Sequence, residues 1–438
     1  MAQEGPRYNL KAVVQQTGLK PDTLRAWERR YGLPAPERSS GGHRLYSQRD
    51  IETIKWLMAR QHEGLSISRA VGLWEQLQSE GKDPLRTLAP LPRPVAQPSG
   101  ATVVQLREQW TEACLAYDER QAEQVLNQAF ALFSPETVAI ELLQHAVSEI
   151  SAGWYRGDVT VQQEHFCSSL AVRRLEALVM AAPAPIRPGR ILAACPPDEQ
   201  HVIGLLVLTF LLRRRGWEVV YLGANVPIEQ LETTVEVIQP RLVIMGGQLL
   251  HTAATLKNAA LALEAAEVPV AYGGLVFNLV PALRTRIPGH FLGEQIEAAP
   301  RVVESLLHAS GPAPTAETVS SEYLRALLHF QDHQSLIEAR VVQGLNLHSL
   351  EGLTHQHLSL ANRELGLNIG AALALGDMDY LGADIEWITG LLKSHQMPIE
   401  SLYGYFQAYH QSAGEQLDER GRPILEWLGE LLSGFAPG

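Results

Sequence analysis

From residue 190 onward the chain passes through five short apolar runs, GRILAAC, EVVYLGA, RLVIMGG, PVAYGG and HFLGE. Between them lie segments whose apolar residues recur at three- and four-residue spacing, the period of a helix. Such alternation predicts a parallel sheet with helices on its faces, a doubly wound α/β domain. Every run ends in small residues, and in sheets of this kind ligands sit at the carboxyl ends of the strands. A ligand therefore belongs where these runs stop.

The rest of the 438 residues must be placed around that sheet. A chain of this length is too long for one core, and roughly three domains are expected. Two stretches read as linkers: APLPRPVAQPSG, residues 89–100, and ASGPAPTAETVSS, residues 309–321. The prolines of the first exclude a helix or a central strand. The expected layout is a head at 1–80, a linker at 81–100, a helical bundle at 101–185, the sheet domain at 186–308, a second linker at 309–320 and a separate helical domain at 321–438. The bundle follows from VVQLREQWTEACLAYDERQAEQVLNQAFALFSPETVAIELLQHAVSEISAGWYRG and QQEHFCSSLAVRRLEALVMAA, which give four helices.

Hydrophobic residues make up 46% and charged residues 19%, an ordinary globular balance. No run of 18 apolar residues spans a membrane, and the start MAQEGPRYNL lacks a signal-peptide stretch, so a cytoplasmic protein is expected. Cys114, Cys167 and Cys195 show neither a pairable framework nor metal spacing. The net charge of −12 argues against a nucleic-acid coat, yet residues 1–72 hold 12 Lys/Arg against 7 Asp/Glu. A small basic domain sits on an acidic chain.

That basic segment holds two short amphipathic helical patterns around Gly18, the second opened by Pro21-Asp22. Arg25, Arg29 and Arg30 lie on its outer side, as a helix in a major groove requires. Gly41-Gly42 then closes a hairpin carrying His43, Arg44 and Tyr46, suited to phosphate contact, and Ser47-x-x-Asp50 starts another helix. Thr23-Leu24-Arg25-x-Trp27-Glu28-Arg29-Arg30-Tyr31-Gly32-Leu33 and Gly42-His43-Arg44-x-Tyr46 resemble the winged helix-turn-helix of the MerR regulators. The resemblance implies binding to double-stranded operator DNA. Members of that family dimerise through a long helix after the wing; here LSISRAVGLWEQLQSEG stops by Gly81, so dimerisation is expected from another domain.

In the sheet domain the loop after the first run presents Glu199-x-His201-x-x-Gly204. A loop His with an acid two residues earlier suits a metal whose electronics the carboxylate tunes. Leu222-Gly223, Gly246-Gly247 and Gly273-Gly274 follow the next three runs. This set resembles the cobalamin-binding domain of methionine synthase and its relatives. The resemblance implies that His201 is the lower cobalt ligand, that Glu199 stands where that family has Asp, and that the glycines line the groove for the nucleotide tail.

A helical bundle before such a domain acts as a cap over the upper face of the corrin. Trp154, followed ten residues later by Glu164-His165, resembles the signature of the CarH group of light-sensing MerR repressors. By that resemblance Trp154 packs over an upper adenosyl group with Glu164 and His165 at the same face. The group's His after the Trp is Tyr155 here, which leaves His145, His165 or water as the upper ligand once light has acted.

The tail, 321–438, carries seven of the fifteen histidines, at 329, 333, 348, 355, 357, 395 and 410, with Tyr380, Trp387, Tyr403, Tyr405, Phe406 and Tyr409. Its position and helicity resemble photocobilins, which implies a non-covalent bilin such as biliverdin; an added assembly bundle is the alternative. The function expected is a light-responsive transcription regulator, a repressor, that couples illumination of bound adenosylcobalamin to a dimer or tetramer and to DNA binding. A dark sensor of cobalamin supply shares every motif. A cobalamin enzyme needs a substrate barrel of roughly 250 residues, which the tail does not supply; no catalytic residue is expected.

Overall fold

The structure is a computed structural model, and it describes residues 8–38, 42–62, 66–79, 83–87, 102–308, 313–345, 355–394 and 399–435. Gly41 of the hairpin, the proline-rich linker at 89–100, residues 309–312, His348 and His395 lie outside the described residues. The chain forms two compact units, Met1–Ser99 and Gly100–Gly438.

The first unit contains α1 (Leu10–Thr17), α2 (Pro21–Tyr31), the hairpin β1 (Glu37–Arg38) and β2 (Arg44–Leu45), α3 (Gln48–His62), α4 (Ile67–Ser79) and the single turn α5 (Pro84–Thr87). Local chemistry sets its boundaries. Asn9 caps α1 by accepting from the Ala12 amide, and α1 ends on Gly18 at φ 71°, a left-handed position that glycine tolerates. Ser47 and Asp50 bond reciprocally at the start of α3. Val13, Leu24, Trp27, Ile51, Ile54 and Leu57 form the core with Trp74 of α4, which meets Trp56 edge-on at 5.2 Å. The apolar face of α4 is thus buried in the unit's own core.

The second unit starts with the helical bundle α6 (Val103–Leu115), α7 (Glu119–Leu132), α8 (Pro135–Thr137), a π-helical stretch Val138–Gln144, α9 (His145–Arg156) and α10 (Val161–Met180). Five parallel strands follow: β3 (Arg190–Ala194), β4 (Glu218–Gly223), β5 (Pro240–Gly246), β6 (Val270–Gly273) and β7 (His290–Phe291), in the order β4-β3-β5-β6-β7. The expected doubly wound sheet is present, strand for strand. Its order reverses between β3 and β5, and the crevice beyond their carboxyl ends is where such sheets bind ligands. Helices α11 (Ile203–Arg214), α12 (Leu231–Ile238), α13 (Leu250–Ala265), α14 (Leu275–Leu279) and α15 (Ala299–His308) complete the domain.

Two helices of this domain are apolar around their circumference, and each is covered on both sides, as such helices must be. Leu205, Leu208 and Leu212 of α11 pack in the core beside the sheet, while Leu206, Val207 and Phe210 join the core of the bundle. Helix α13 lies on the opposite face and meets the tail. The tail comprises α16 (Ser321–Gly344), α17 (His355–Leu375), α18 (Gly382–Ser394), α19 (Ile399–Gln416) and α20 (Arg422–Phe435). One continuous core runs from Val243 and Met245 of the sheet through Leu256 and Ala260 of α13 to Ile369 and Leu373 of α17 and Tyr409 of α19. Lys257 of α13, its pKa lowered by burial and by Arg286, donates to the Ala374 carbonyl near the end of α17. Arg286 donates to the Tyr380 hydroxyl, and the connecting segment bonds back to the sheet domain through Gly289–Pro314 and Glu317–Thr285. The tail is therefore built onto the sheet domain and does not stand apart from it.

Candidate functional site

The crevice is organised by one buried carboxylate. After β3 the chain turns through Asp198, at φ 67°, and places Glu199 with no exposed surface. One oxygen of Glu199 accepts from the His201 amide at 2.9 Å and from His201 Nδ1 at 2.7 Å. The other accepts from the Gln248 amide and the Thr252 hydroxyl, both at 2.7 Å, from the loop after β5 and the first turn of α13. Burial alone would push Glu199 up, but these bonds outweigh it and hold the carboxylate below its ordinary range. Because Glu199 only accepts, the proton of a neutral His201 ring sits on Nδ1 and the lone pair on Nε2. The His201 side chain is 61% exposed, and its pKa is raised, first by Glu199 and more weakly by Glu164 of the bundle.

Small residues clear the space around this imidazole. Gly246-Gly247 and Gly273-Gly274 end β5 and β6, and a Cβ on Gly274 (φ 132°) would strike the Gly247 carbonyl oxygen, so the two loops touch as only glycine allows. Gly204, in the first turn of α11, has open space where a side chain would project. Leu222 and Gly223 end β4. Leu222, at the end of β4, and Leu249 and Leu275, after β5 and β6, stay 38%, 40% and 53% exposed. A directed nitrogen donor within a collar of glycine and exposed leucine fits a large, flat, mostly apolar metal macrocycle. Among the described residues no group of three or more His, Cys, Asp or Glu could hold a bare metal ion.

On the bundle, Trp154 is half-buried in the last turn of α9, which ends on Gly157. Glu164, in the first turn of α10, lies 3.1 Å from Nδ1 of the exposed His165 and within 3.5 Å of the Ser151 hydroxyl. Val202, next to His201, and Tyr221 of β4 pack against the core of the bundle, so the His201 loop and the bundle are neighbours. His145 opens α9 and is held by Glu141 and Arg107 at 3.4 and 3.3 Å. Nine residues of helix separate it from Trp154, about 14 Å along the axis. Tyr155 stacks on Trp387 of the tail at 5.7 Å.

In the first unit Arg25, Arg29, Arg30 and His43 are exposed. Tyr46 is not: it is fully buried, with its hydroxyl donating to Glu28 at 2.5 Å. Arg44 pairs with the same carboxylate at 2.7 Å. Sequence reading placed Tyr46 on the phosphate-contacting surface; its position in the core shows instead a residue that fastens the hairpin to α2.

Comparison with known proteins now bears on these two sites. Residues 8–77 match the MerR HTH family of regulatory proteins, and residues 106–178 and 189–303 each match a B12 binding domain. The chain is 32% identical over 294 residues to the HTH-type transcriptional repressor CarH of Myxococcus xanthus, covering 66% of this chain and 96% of that one. It is 33% identical over 240 residues to the repressor CarA of the same organism, covering 54% and 75%. The chain belongs to the CarH-type MerR regulators. Among solved structures, the Methanosarcina barkeri monomethylamine corrinoid protein matches at 15% identity and a TM-score of 0.39, covering 47% of this chain and all of that one.

A member of this family with both B12 binding domains is a cobalamin-binding transcription regulator that acts on double-stranded DNA, and not an enzyme. Among the described residues no helix is long and apolar enough to cross a membrane. Sequence reading missed Thr252 and Gln248, which complete the Glu199 cradle, and Leu249 and Leu275 of the collar. Leu249 and Leu275 had a signal: each follows the residues that close a strand, where an apolar residue is out of place unless something covers it.

Proposed function

We propose that the protein is a light-responsive repressor that holds adenosylcobalamin between the bundle and the sheet. His201 Nε2 would hold the lower face of the cobalt, with Glu199 keeping the ring proton on Nδ1 and fixing the ring's orientation. Leu222, Gly223, Gly246, Gly247, Gly273 and Gly274, with Gly204, would line the space for the macrocycle and its nucleotide tail. Trp154, Glu164 and His165 would close the upper face. When bound, the cofactor supplies a cobalt–carbon bond that light can break. The observation that carries this reading is the buried Glu199 cradle, which holds the His201 ring by Nδ1 and leaves Nε2 free at the strand ends, on a loop whose Val202 packs against the bundle. His145, held by Arg107 and Glu141 nine positions from Trp154, and His165, beside Glu164, are the imidazoles that the bundle would offer once light had acted, with water as the alternative.

Arg25, Arg29, Arg30, His43 and Arg44 would contact DNA, with affinity falling steeply as salt rises. Because α4 is consumed in its own unit's core, pairing of heads would come from a dimer or tetramer of the sensor, and linked heads gain effective concentration. A bilin in the tail is the weaker second reading. Tyr380, Tyr405, Phe406 and Tyr409 are buried in the core. A cavity of about 730 Å³ at the tail is lined by Glu322, Arg325, Asp418, Glu419, Arg420, Arg422 and Leu425, a charged wall unlike the apolar sites that hold flat chromophores. His201→Ala tests the main reading: the protein should lose corrinoid on gel filtration or show a base-off spectrum. An unchanged base-on spectrum would remove His201 from its role.

A further inference from the structure

The tail touches the bundle at Trp154 itself. Helix α18 sets Trp387 against Trp154, with ring centroids 5.9 Å apart and planes tilted by 39°, and against Tyr155 at 5.7 Å and 35°. One turn further along α18, Gly390 lies under the Tyr155 hydroxyl, where any Cβ would collide with that oxygen. Two adjacent residues of α9 are thus gripped by two residues of α18 at i and i+3, the spacing that puts both on one helix face. Among the described tryptophans Trp387 is the most exposed, at 44%.

We infer that Trp387 is a positioning residue for the cobalamin site: with Gly390 it seats Trp154 and Tyr155, and so sets how closely the bundle closes over the upper ligand. The inference rests on Trp154 facing that ligand, as proposed above. Its consequence is a ligand preference set in part by the tail. A bulky upper group such as adenosyl must fit beneath a Trp154 that the tail holds in place, whereas a small one such as hydroxide makes no demand on it. Tyr155, which departs from its family's pattern, is explained by the same contact: its ring and hydroxyl are committed to the tail.

The test is the dark affinity of the full chain for adenosylcobalamin and for hydroxocobalamin, read by spectral titration. It is paired with hydrogen exchange of the cobalamin-free protein across residues 150–157. Trp387→Ala should lower the adenosyl-to-hydroxo preference by roughly two- to tenfold, the range spanned by one or two aromatic contacts, with hydroxocobalamin affinity unchanged. It should also speed exchange at the end of α9. Trp387→Phe should keep most of the preference, and Gly390→Ala should reproduce the loss by displacing Tyr155. If Trp387→Ala leaves both the preference and the exchange unchanged while Trp154→Ala lowers the preference, the inference is overturned and the role of Trp154 stands. If Trp154→Ala also leaves the preference intact, Trp154 does not face the upper ligand, and the proposal falls with that reading.

Discussion

Glu199→Gln changes one atom and reaches the centre of the site. In the native chain the carboxylate presents two oxygens to four donors: the His201 amide and ring on one, the Gln248 amide and Thr252 hydroxyl on the other. A glutamine keeps one oxygen, so its NH2 faces either the Gln248 amide and Thr252 hydroxyl, or the His201 amide and a ring that must move its proton to Nε2 to accept, with no exposed surface to relieve the conflict. Hydrogen bonds to a charged acceptor contribute about 1.5–3 kcal/mol each, and a buried donor left unmatched costs about 1–3 kcal/mol. Thr252 can turn its hydroxyl to the Leu249 carbonyl, 3.0 Å away, which softens one of the two losses. A net cost of about 3 kcal/mol to the cobalamin-free fold is expected. Binding should suffer separately, because a carboxylate behind a metal-ligating His contributes about 10- to 100-fold to affinity. Urea unfolding of the cobalamin-free variant measures the first effect, and spectral titration with adenosylcobalamin the second. Thr252→Val, which removes one donor to the carboxylate and the acceptor of the Leu249 amide, should cost about 2–3 kcal/mol and leave His201 oriented. A Glu199→Gln protein that binds within twofold of the parent would refute the assignment of Glu199 as the partner that tunes His201.

Asp384, in the first turn of α18, has a buried Oδ2 without a partner; burial, and then the charge of Glu364, pushes its pKa up to about 6. Its unfolded value is about 3.9, so between about pH 4 and 6 the folded state keeps a proton that the unfolded chain has lost, and stability falls as pH rises through that window. Asp384→Asn should therefore stabilise by about 2 kcal/mol at pH 8 and by little near pH 4, as urea unfolding at the two pH values would show; an equal gain at both would contradict the buried charge. In the head, Glu28→Ala strips Arg44 and the buried Tyr46 hydroxyl of their shared acceptor, at a cost of about 2–4 kcal/mol. Removing an acid raises the attraction to phosphate, yet operator affinity should fall because the hairpin loses its fastening; a rise in affinity measured by fluorescence anisotropy would count against that reading.

How much could be read without the structure depended on whether a residue's partner was local. The five strands were legible because each apolar run was bounded by small residues, and sequence alone marks such boundaries. Ser47 with Asp50, Pro21 at the start of α2 and Ser134 before Pro135 were equally legible, since capping is settled within three residues. Glu199 and His201 were found by spacing, but Thr252 lies 53 positions from Glu199 and carried no local sign of its role. The tail was read as separate because a linker was visible and a shared core was not. The clue lay in α13, where TAATLKNAALALEA is apolar on both sides and must be covered twice. Tyr46 was misread because an aromatic on a hairpin suits phosphate contact or core, and only its 18-residue reach to Glu28 decides between them. The π-helical stretch at Val138–Gln144 has no sequence signature that we can name.

The central claim is that this regulator responds to light through bound cobalamin. It is tested most directly by measuring one sample of full chain, loaded with adenosylcobalamin and mixed with operator DNA, before and after green light. Corrin absorption and DNA-bound fraction are followed together. The account predicts base-on adenosylcobalamin and bound DNA in darkness, then altered corrin bands and a loss of bound DNA on illumination. Unchanged DNA binding after the corrin bands have altered would contradict it and leave a dark sensor of cobalamin supply.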